Sequence, residues 1–433
     1  MSQEPDQDIP TQKIKLNPSL THQQMIGFGG ALTWYADRIS SSPKKDEISQ
    51  LIFDDLGADI IRLKNWYFPE GYPENKSPDQ MEVSWFVPHF NATNELYDLA
   101  KSHNSKIEVL LSSWTPPSSL KSNGELEEGT LKKNDDGEFV YDEFAQYWVD
   151  VLNHIDFQPD YLSIQNEPTY TTDQWETCAW SATETSNLPG YATALDLVHQ
   201  RLETMQNPPQ IIGPESQDLQ SGPFDSFADV LSNKEYVAMY GYHPYNFTNS
   251  TSIEETKSYL NNIKQFYDDK PNIMTEYSGM SWMKTAQFIT NVLIEANATG
   301  YIYWELIWDE NASNAMVKVD SSGDYELTPF YYVMKHFAKH VDKGYQRIGV
   351  ESENSTLFVS GFSNPEQDQL TLVVVNPHSN KNDILLEVEG HSGSGIKAFL
   401  SQEGNFYQER SVGSADKPLS IPSNSITTVT LDL

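Results

Sequence analysis

The chain has 433 residues, with 62 Asp and Glu against 28 Lys and Arg, for a net charge of −34. That field repels nucleic acid and anionic membrane surfaces, which excludes both as partners. The one cysteine, Cys178, excludes an intrachain disulfide and reads as a small buried hydrophobe. No His-Glu-x-x-His spacing or Cys pair suggests a metal centre, and no apolar run is long enough to span a bilayer.

In chain order, Met1 to Gln12 is polar and lacks the apolar stretch of a signal peptide. Gln12–Leu16 is a short β-type run that could join a later sheet. From Met25 onward, β-type runs fall at Met25–Leu32, Ala58–Leu63, Ile107–Trp114, Tyr161–Gln165, Gln210–Gly213, Val237–Tyr242, Asn272–Thr275 and Tyr301–Trp308. Between them, Asp46–Leu56, Asp142–Ile155, Tyr191–Gln206 and Ile253–Tyr267 space apolar residues by three and four, the signature of amphipathic helices. Strand and helix alternating around eight strands predicts an α/β fold, a parallel (β/α)8 barrel. After His340 the helical period stops. Thr356–Phe362, Gln369–Asn376, Asp383–Glu389, Ile396–Ser401 and Ser425–Leu433 are β-type runs between turn clusters, which predicts an antiparallel β-sandwich. The expected division is 1–23 as a segment partly joining the sandwich, 24–338 as the barrel and 339–433 as the side domain.

A barrel gathers its chemistry where strand C-termini meet the following loops. Two glutamates stand there: Glu167 in Ile164-Gln165-Asn166-Glu167-Pro168 and Glu276 in Met274-Thr275-Glu276-Tyr277, on the fourth and seventh strands. Pro168 should restrict Glu167 to extended backbone. Two facing carboxylates are what glycoside hydrolysis needs, one to protonate the leaving oxygen and one to attack or to activate water. Glu215 and Glu305 also end strands but lack such flanking residues and rank second. Arg62 could hold one glutamate ionised or form a structural ion pair beneath the pocket, and His243 could act similarly or cap its strand. Trp66, Trp114, Tyr170, Trp180, Tyr242, Tyr245 and Trp304 lie at or just past strand ends, where aromatic faces suit sugar C–H faces or simple packing. Asn166 and Tyr277, beside the two glutamates, complete the candidate substrate-binding set. No metal or other cofactor is expected.

Gly27-Phe28-Gly29-Gly30, Ser113-Trp114-Thr115-Pro116-Pro117 with Lys121-Ser122-Asn123-Gly124, the two glutamate motifs and Trp175-Glu176-Thr177-Cys178-Ala179-Trp180-Ser181 occur in one order. Together they resemble glycoside hydrolase family 30, most closely its bacterial xylanase branch. The resemblance implies a retaining mechanism with Glu167 as acid/base and Glu276 as nucleophile. It also implies a polysaccharide or oligosaccharide substrate and a secreted, cell-surface or periplasmic monomer. Xylanases of that branch recognise glucuronate through an arginine after the eighth strand. Here Trp304 to Leu327 has no Arg, only Lys318, and carries Asp309 and Glu310. The reading is therefore an endo-β-xylanase independent of glucuronate. Its alternatives are a β-1,6-glucanase, a galactanase or another β-glycosidase of the same family, and a carbohydrate-binding protein on a silent barrel.

Overall fold

The computed structural model describes residues 11–220, 222–412 and 417–433, so residues 1–10 of the N-terminal segment lie outside it. Strand β1 (Gln12–Gln24) leads into eight short strands: β2 (Gly27–Leu32), β3 (Ile60–Lys64), β4 (Glu108–Ser112), β5 (Tyr161–Ser163), β6 (Gln210–Ser216), β7 (Val237–Tyr242), β8 (Asn272–Met274) and β9 (Gly300–Tyr303). These eight are parallel and close into a barrel, with β9 pairing back onto β2. Because side chains alternate along a strand, one residue set fills the barrel: Ala31, Ile60, Leu110, Tyr161, Ile212, Met239, Ile273 and Ile302. The opposite set packs outward against helices such as Phe86–His103, Tyr141–His154 and Trp282–Glu295. Gly29 is required by close approach, since a Cβ there would lie 1.7 Å from the Ile60 carbonyl oxygen.

The helix read over Asp46–Leu56 forms as an α-turn, Lys45–Ser49, that widens into a π-helix, Gln50–Asp55. The run Tyr301–Trp308 is not one strand. After β9, Ile307–Trp308 (β10) turns away and joins Val317–Val319 (β11) and Tyr325–Leu327 (β12) in a small separate sheet. Apolar residues continue through both pieces, so composition alone could not show the break.

The side domain contributes β13 (Gln346–Ser352), β14 (Phe358–Ser363), β15 (Gln369–Asn376), β16 (Asn382–Val388), β17 (Ser394–Gln402), β18 (Asn405–Ser411), β19 (Leu419–Ile421) and β20 (Ser425–Asp432). Hydrogen bonds link them and β1 into one nine-stranded sheet, in which β1 pairs antiparallel with β13 and parallel with β16. Ile14, Ile348, Leu372, Leu386 and Val429 share a core of this domain, while Phe362, Val373, Val375 and Ile426 on the other face join the barrel's core. The sequence analysis places no strand at Gln346–Ser352, yet β13 forms there, between β14 and β1 in the sheet.

His336 sits in that interface, fully buried, with Nδ1 2.8 Å from Thr428 Oγ1 and Nε2 2.8 Å from Ser401 Oγ. Thr428 Oγ1 donates to the His336 carbonyl, so it accepts from Nδ1–H, and a neutral imidazole satisfies every group. Burial, helped by His340 and Lys335, pushes His336 down to about 3 from 6.5. The unfolded chain therefore takes the proton first, and this stability is lost as pH falls below about 6.5. From pH 7 to 5 it amounts to about 2 kcal/mol. Denaturant titrations at the two pH values should show a loss of at least this size, and H336Q should reduce it to the share of the neighbouring His340, which burial also lowers.

Candidate active site

The inward parity of β3 places Arg62 in the barrel with its side chain completely buried. Its Nη1 donates to Glu276 Oε2 at 2.5 Å, and its Nη2 donates to Asn166 Oδ1 at 2.7 Å. Its Nε lies 3.0 Å from Glu215 Oε1, and Ser112 Oγ donates to Glu215 Oε2 at 2.9 Å. One guanidinium thus fixes groups from strand β6 and from the loops after β5 and β8. Glu215 itself has φ +55°, at a register shift between β6 and β7 that turns its side chain inward. Burial would neutralise Glu215, yet the Arg62 charge first, with His243 nearby, holds it well below the usual carboxylate range.

Glu167 does not adopt the extended backbone expected before proline. Its φ is +44°, a strained left-handed conformation held by its N–H bond to the Glu215 carbonyl at 3.1 Å. The Asn166 N–H, bonded to the Ser113 carbonyl at 2.7 Å, holds the preceding residue. This twist directs the Glu167 carboxyl at His243, whose Nδ1 lies 3.1 Å from Glu167 Oε1. A carboxylate oxygen of Glu167, one of Glu276 and a ring nitrogen of His243 all lie within 4.8 Å of one another. Burial first, and the neighbouring Glu276 charge, raise Glu167 above its ordinary value against the opposing His243 bond. Burial alone would lower His243, but Glu276, Glu167 and Glu215 push it up to about 9. Glu276 also accepts from the Tyr245 hydroxyl at 2.8 Å, so both of its partners are donors.

Above these carboxyls opens a cavity of about 620 Å³. Trp114, Asn166, Tyr170, Tyr245 and Trp304 line it with the two glutamates, as do Trp34, Tyr35, Trp175, Gln217, Ser278 and Trp308. Trp34 packs edge-on against Trp114 at 5.1 Å and Trp304 at 5.6 Å. Tyr170 stacks on Trp175 at 6.0 Å, beside Glu167. Glu305 anchors this wall by accepting from the Thr33 and Trp34 amides. Lys64, paired to Glu176 at 2.9 Å, lies 4.1 Å from the centre of the Trp34 ring.

Four candidate aromatics do not line the cavity. Tyr242 has the outward parity of β7 and bonds Asn272, and Tyr277 turns away to the Phe247 carbonyl. Trp66 lies behind Trp34, stacked on His89. Trp180 is buried but donates to Gln165 Oε1 at 3.1 Å, which steadies the segment carrying Glu167. Trp34 escaped the sequence reading because it lies in a loop beyond the first barrel strand, and Trp308 because it falls in β10, which the sequence merges with β9 into one run. Their one available signal was the density of tryptophan after the first and eighth barrel strands.

The fold defines the class, a closed (β/α)8 barrel with an attached sheet domain and a buried carboxylate pair where its strand C-termini meet. No family model matches the chain. A Caenorhabditis elegans protein named as a glucosylceramidase is 24% identical over 418 residues, covering 86% of this chain and 78% of that one. An endo-1,6-β-D-glucanase of Aspergillus fumigatus is 23% identical over 436 residues, covering 86% and 82%. Among solved structures, the glycoside hydrolase family 30 subfamily 8 xylanase Xyn30A from Clostridium acetobutylicum matches with a TM-score of 0.74 and 20% identity, covering 97% of this chain and all of that one. An endo-β1,6-glucanase matches with a TM-score of 0.74 and 17% identity, covering 97% and 94%. The motif resemblance to glycoside hydrolase family 30 is thus supported both by sequence relatives and by fold, and bacterial xylanases of that family are among the structures matched.

Replacing Arg62 by Leu leaves Glu215 and Glu276 buried without their cation. We expect a loss of about 3–5 kcal/mol in denaturant unfolding. Tyr245→Phe, which removes one bond to Glu276, should cost only about 0.5–1.5 kcal/mol.

Proposed function

We propose that the protein is a retaining glycoside hydrolase of β-linked polysaccharide, with Glu167 as acid/base and Glu276 as nucleophile. The observation that carries this reading is the approach of the two carboxyls to within 4.8 Å. That spacing suits retention at about 5–5.5 Å and leaves no room for the water that an inverting pair, about 6.5–9.5 Å apart, must hold between them. In the first step Glu276 attacks the anomeric carbon, and Glu167 gives its proton to the departing glycosidic oxygen. In the second, Glu167 takes a proton from water, which attacks the same carbon and releases Glu276. Burial and the Glu276 charge favour the protonated start that Glu167 needs. Arg62 and Tyr245 orient the nucleophile, and the Trp34, Trp114 and Trp304 rings give apolar faces to the sugar.

The favoured substrate is β-xylan, cleaved internally and without need of a glucuronate side group, by a secreted monomer whose barrel, 24–338, carries the catalysis. Neutral sugar is supported by the cavity itself, which has no Lys or Arg among its described lining residues. Near it, Arg38 is occupied by Glu310 at 3.2 Å and by the Val319 carbonyl. A β-1,6-glucan is the second reading, favoured by the glucanases among the relatives and solved structures.

Incubation with linear xylan, glucuronoxylan, β-1,6-glucan, β-1,6-galactan and β-1,3-glucan should give xylo-oligosaccharide ladders at similar initial rates from both xylans. Products from another polymer alone would keep the chemistry and replace the substrate. Binding without turnover on every polymer would favour a silent lectin-like barrel. Glu276→Ala should abolish turnover throughout. Glu167→Ala should lose about 10²–10⁴-fold on polysaccharide while sparing the first step on aryl glycosides with good leaving groups. As pH rises through the elevated Glu167 ionisation, kcat/KM should fall, and Glu167→Ala should lose that limb on activated substrates.

A further inference from the structure

A second cavity, of about 820 Å³, lies far from the catalytic one, where β1, β13, β14 and β16 meet the barrel. Lys264, at the end of the helix before β8, and His22, just before β2, place it at the N-terminal end of the barrel strands. The catalytic glutamates follow strand C-termini, so the two cavities occupy opposite ends.

In a chain of net charge −34, one end of this cavity is cationic. Arg347 is 6% exposed and lines it. Its bonds go to neutral amides: Nε donates to Gln23 Oε1 at 2.8 Å and Nη2 to Asn297 Oδ1 at 3.2 Å. Gln23 is itself fixed by bonds to the Leu293 and Ala298 carbonyls, so the guanidinium is held in place. Among the described residues, no carboxylate lies within 4.0 Å of Arg347 or Lys264. The acid whose charge acts on Arg347 is Glu295, and Lys257 already engages it at 3.2 Å. Burial accordingly lowers Arg347 to about 10, and burial with the Arg347 and Lys264 charges lowers His22. A buried guanidinium without a counter-ion is costly, and an external anion would relieve that cost. The other end holds Glu351, Glu387 and Glu389 with Lys15, and Lys13 pairs with Glu387 at 2.5 Å. Leu20, 53% exposed, supplies an apolar flank between the ends.

We infer that this cavity binds an anionic saccharide, its carboxylate or sulfate group on Arg347 and Lys264 and its ring against Leu20. The site is a tether. It holds an acidic branch of the polymer at one end of the barrel while the cation-free catalytic cavity works on neutral backbone at the other. A planar carboxylate fits the guanidinium fork bidentately, and a sulfate ester offers similar oxygens. The uses differ in linkage, since a tether raises the local concentration of polymer without changing the chemistry of the cut.

The test uses the full chain carrying Glu276→Gln, so that no glycan is consumed, in affinity electrophoresis through glucuronoxylan, a sulfated galactan and linear xylan. Retention by the acidic polymers should weaken about tenfold in Lys264→Glu, equivalent to about 1.4 kcal/mol. Arg347→Gln should do the same where circular dichroism shows it folded. Glucuronoxylan retained more than the sulfated polymer assigns a uronate, and the reverse assigns a sulfate ester. Equal retention of Lys264→Glu and its parent, or saturation of the site by inorganic sulfate as tightly as by saccharide, would overturn the inference. Lys264→Glu with an intact Glu276 should keep its rate on short neutral oligosaccharides, so failure of the tether and failure of the glycosidase reading are separable.

Discussion

Everything where the barrel strands' C-termini meet depends on one buried cation. Arg62 is enclosed in a barrel whose other inward side chains are mostly aliphatic, and it persists there because two carboxylates and an amide surround it. A lone buried guanidinium would cost several kcal/mol. The arrangement is therefore reciprocal: Glu215 makes Arg62 tolerable, and Arg62 in turn places Glu276 and Asn166. Glu215 has its own second neighbour in His243, whose Nε2 faces it at 3.7 Å while Nδ1 faces Glu167. Glu167 and Glu276 are thus linked through a common foundation of Arg62, Glu215 and His243.

That foundation explains how two glutamates a few ångströms apart can serve different ends. Glu276 is contacted by Arg62 and the Tyr245 hydroxyl, both donors. Glu167 reaches the same space from a left-handed backbone and is buried beside the Glu276 charge, which favours its protonated form. The difference comes from backbone geometry as much as from neighbours, since an extended Glu167 would aim its carboxyl elsewhere. The Glu167 amide bond to the Glu215 carbonyl stabilises that twist, which again leads back to β6.

The barrel was legible because its strands are short apolar runs closed by turns, and the two glutamates because each ends such a run. Strand parity carried further information that the motif reading did not use. Ile60, Arg62 and Lys64 share the inward face of β3, as Ile302 and Trp304 share that of β9, whereas Tyr240 and Tyr242 alternate with inward Met239. Counting by two would have kept Arg62 and Trp304 and removed Tyr242. Glu215 lies beyond that rule. From inward Ile212, parity turns residue 215 outward, and only the irregular pairing of β6 with β7 returns it to the interior. Trp34 was hidden for a different reason: its loop conformation follows tertiary bonds, such as those Glu305 accepts from Thr33 and Trp34, and no local period records it.

The side domain follows the same logic on a larger scale. Strand β1 adheres to β13 and β16 before the chain enters the barrel, so the sheet is complete only when residues separated by more than three hundred positions meet. Such pairing carries the entropic cost of a long loop closure, yet it buries Ile14 and Leu16 and seats Gln23 against the barrel helix that ends at Glu295. Gln23 also orients Arg347, so the strand that joins the two units helps build the cationic cavity between them. The junction therefore has a chemical consequence as well as a mechanical one. It leaves a fixed cation at one end of the barrel, while the ion network around Arg62 consumes its cation entirely at the other.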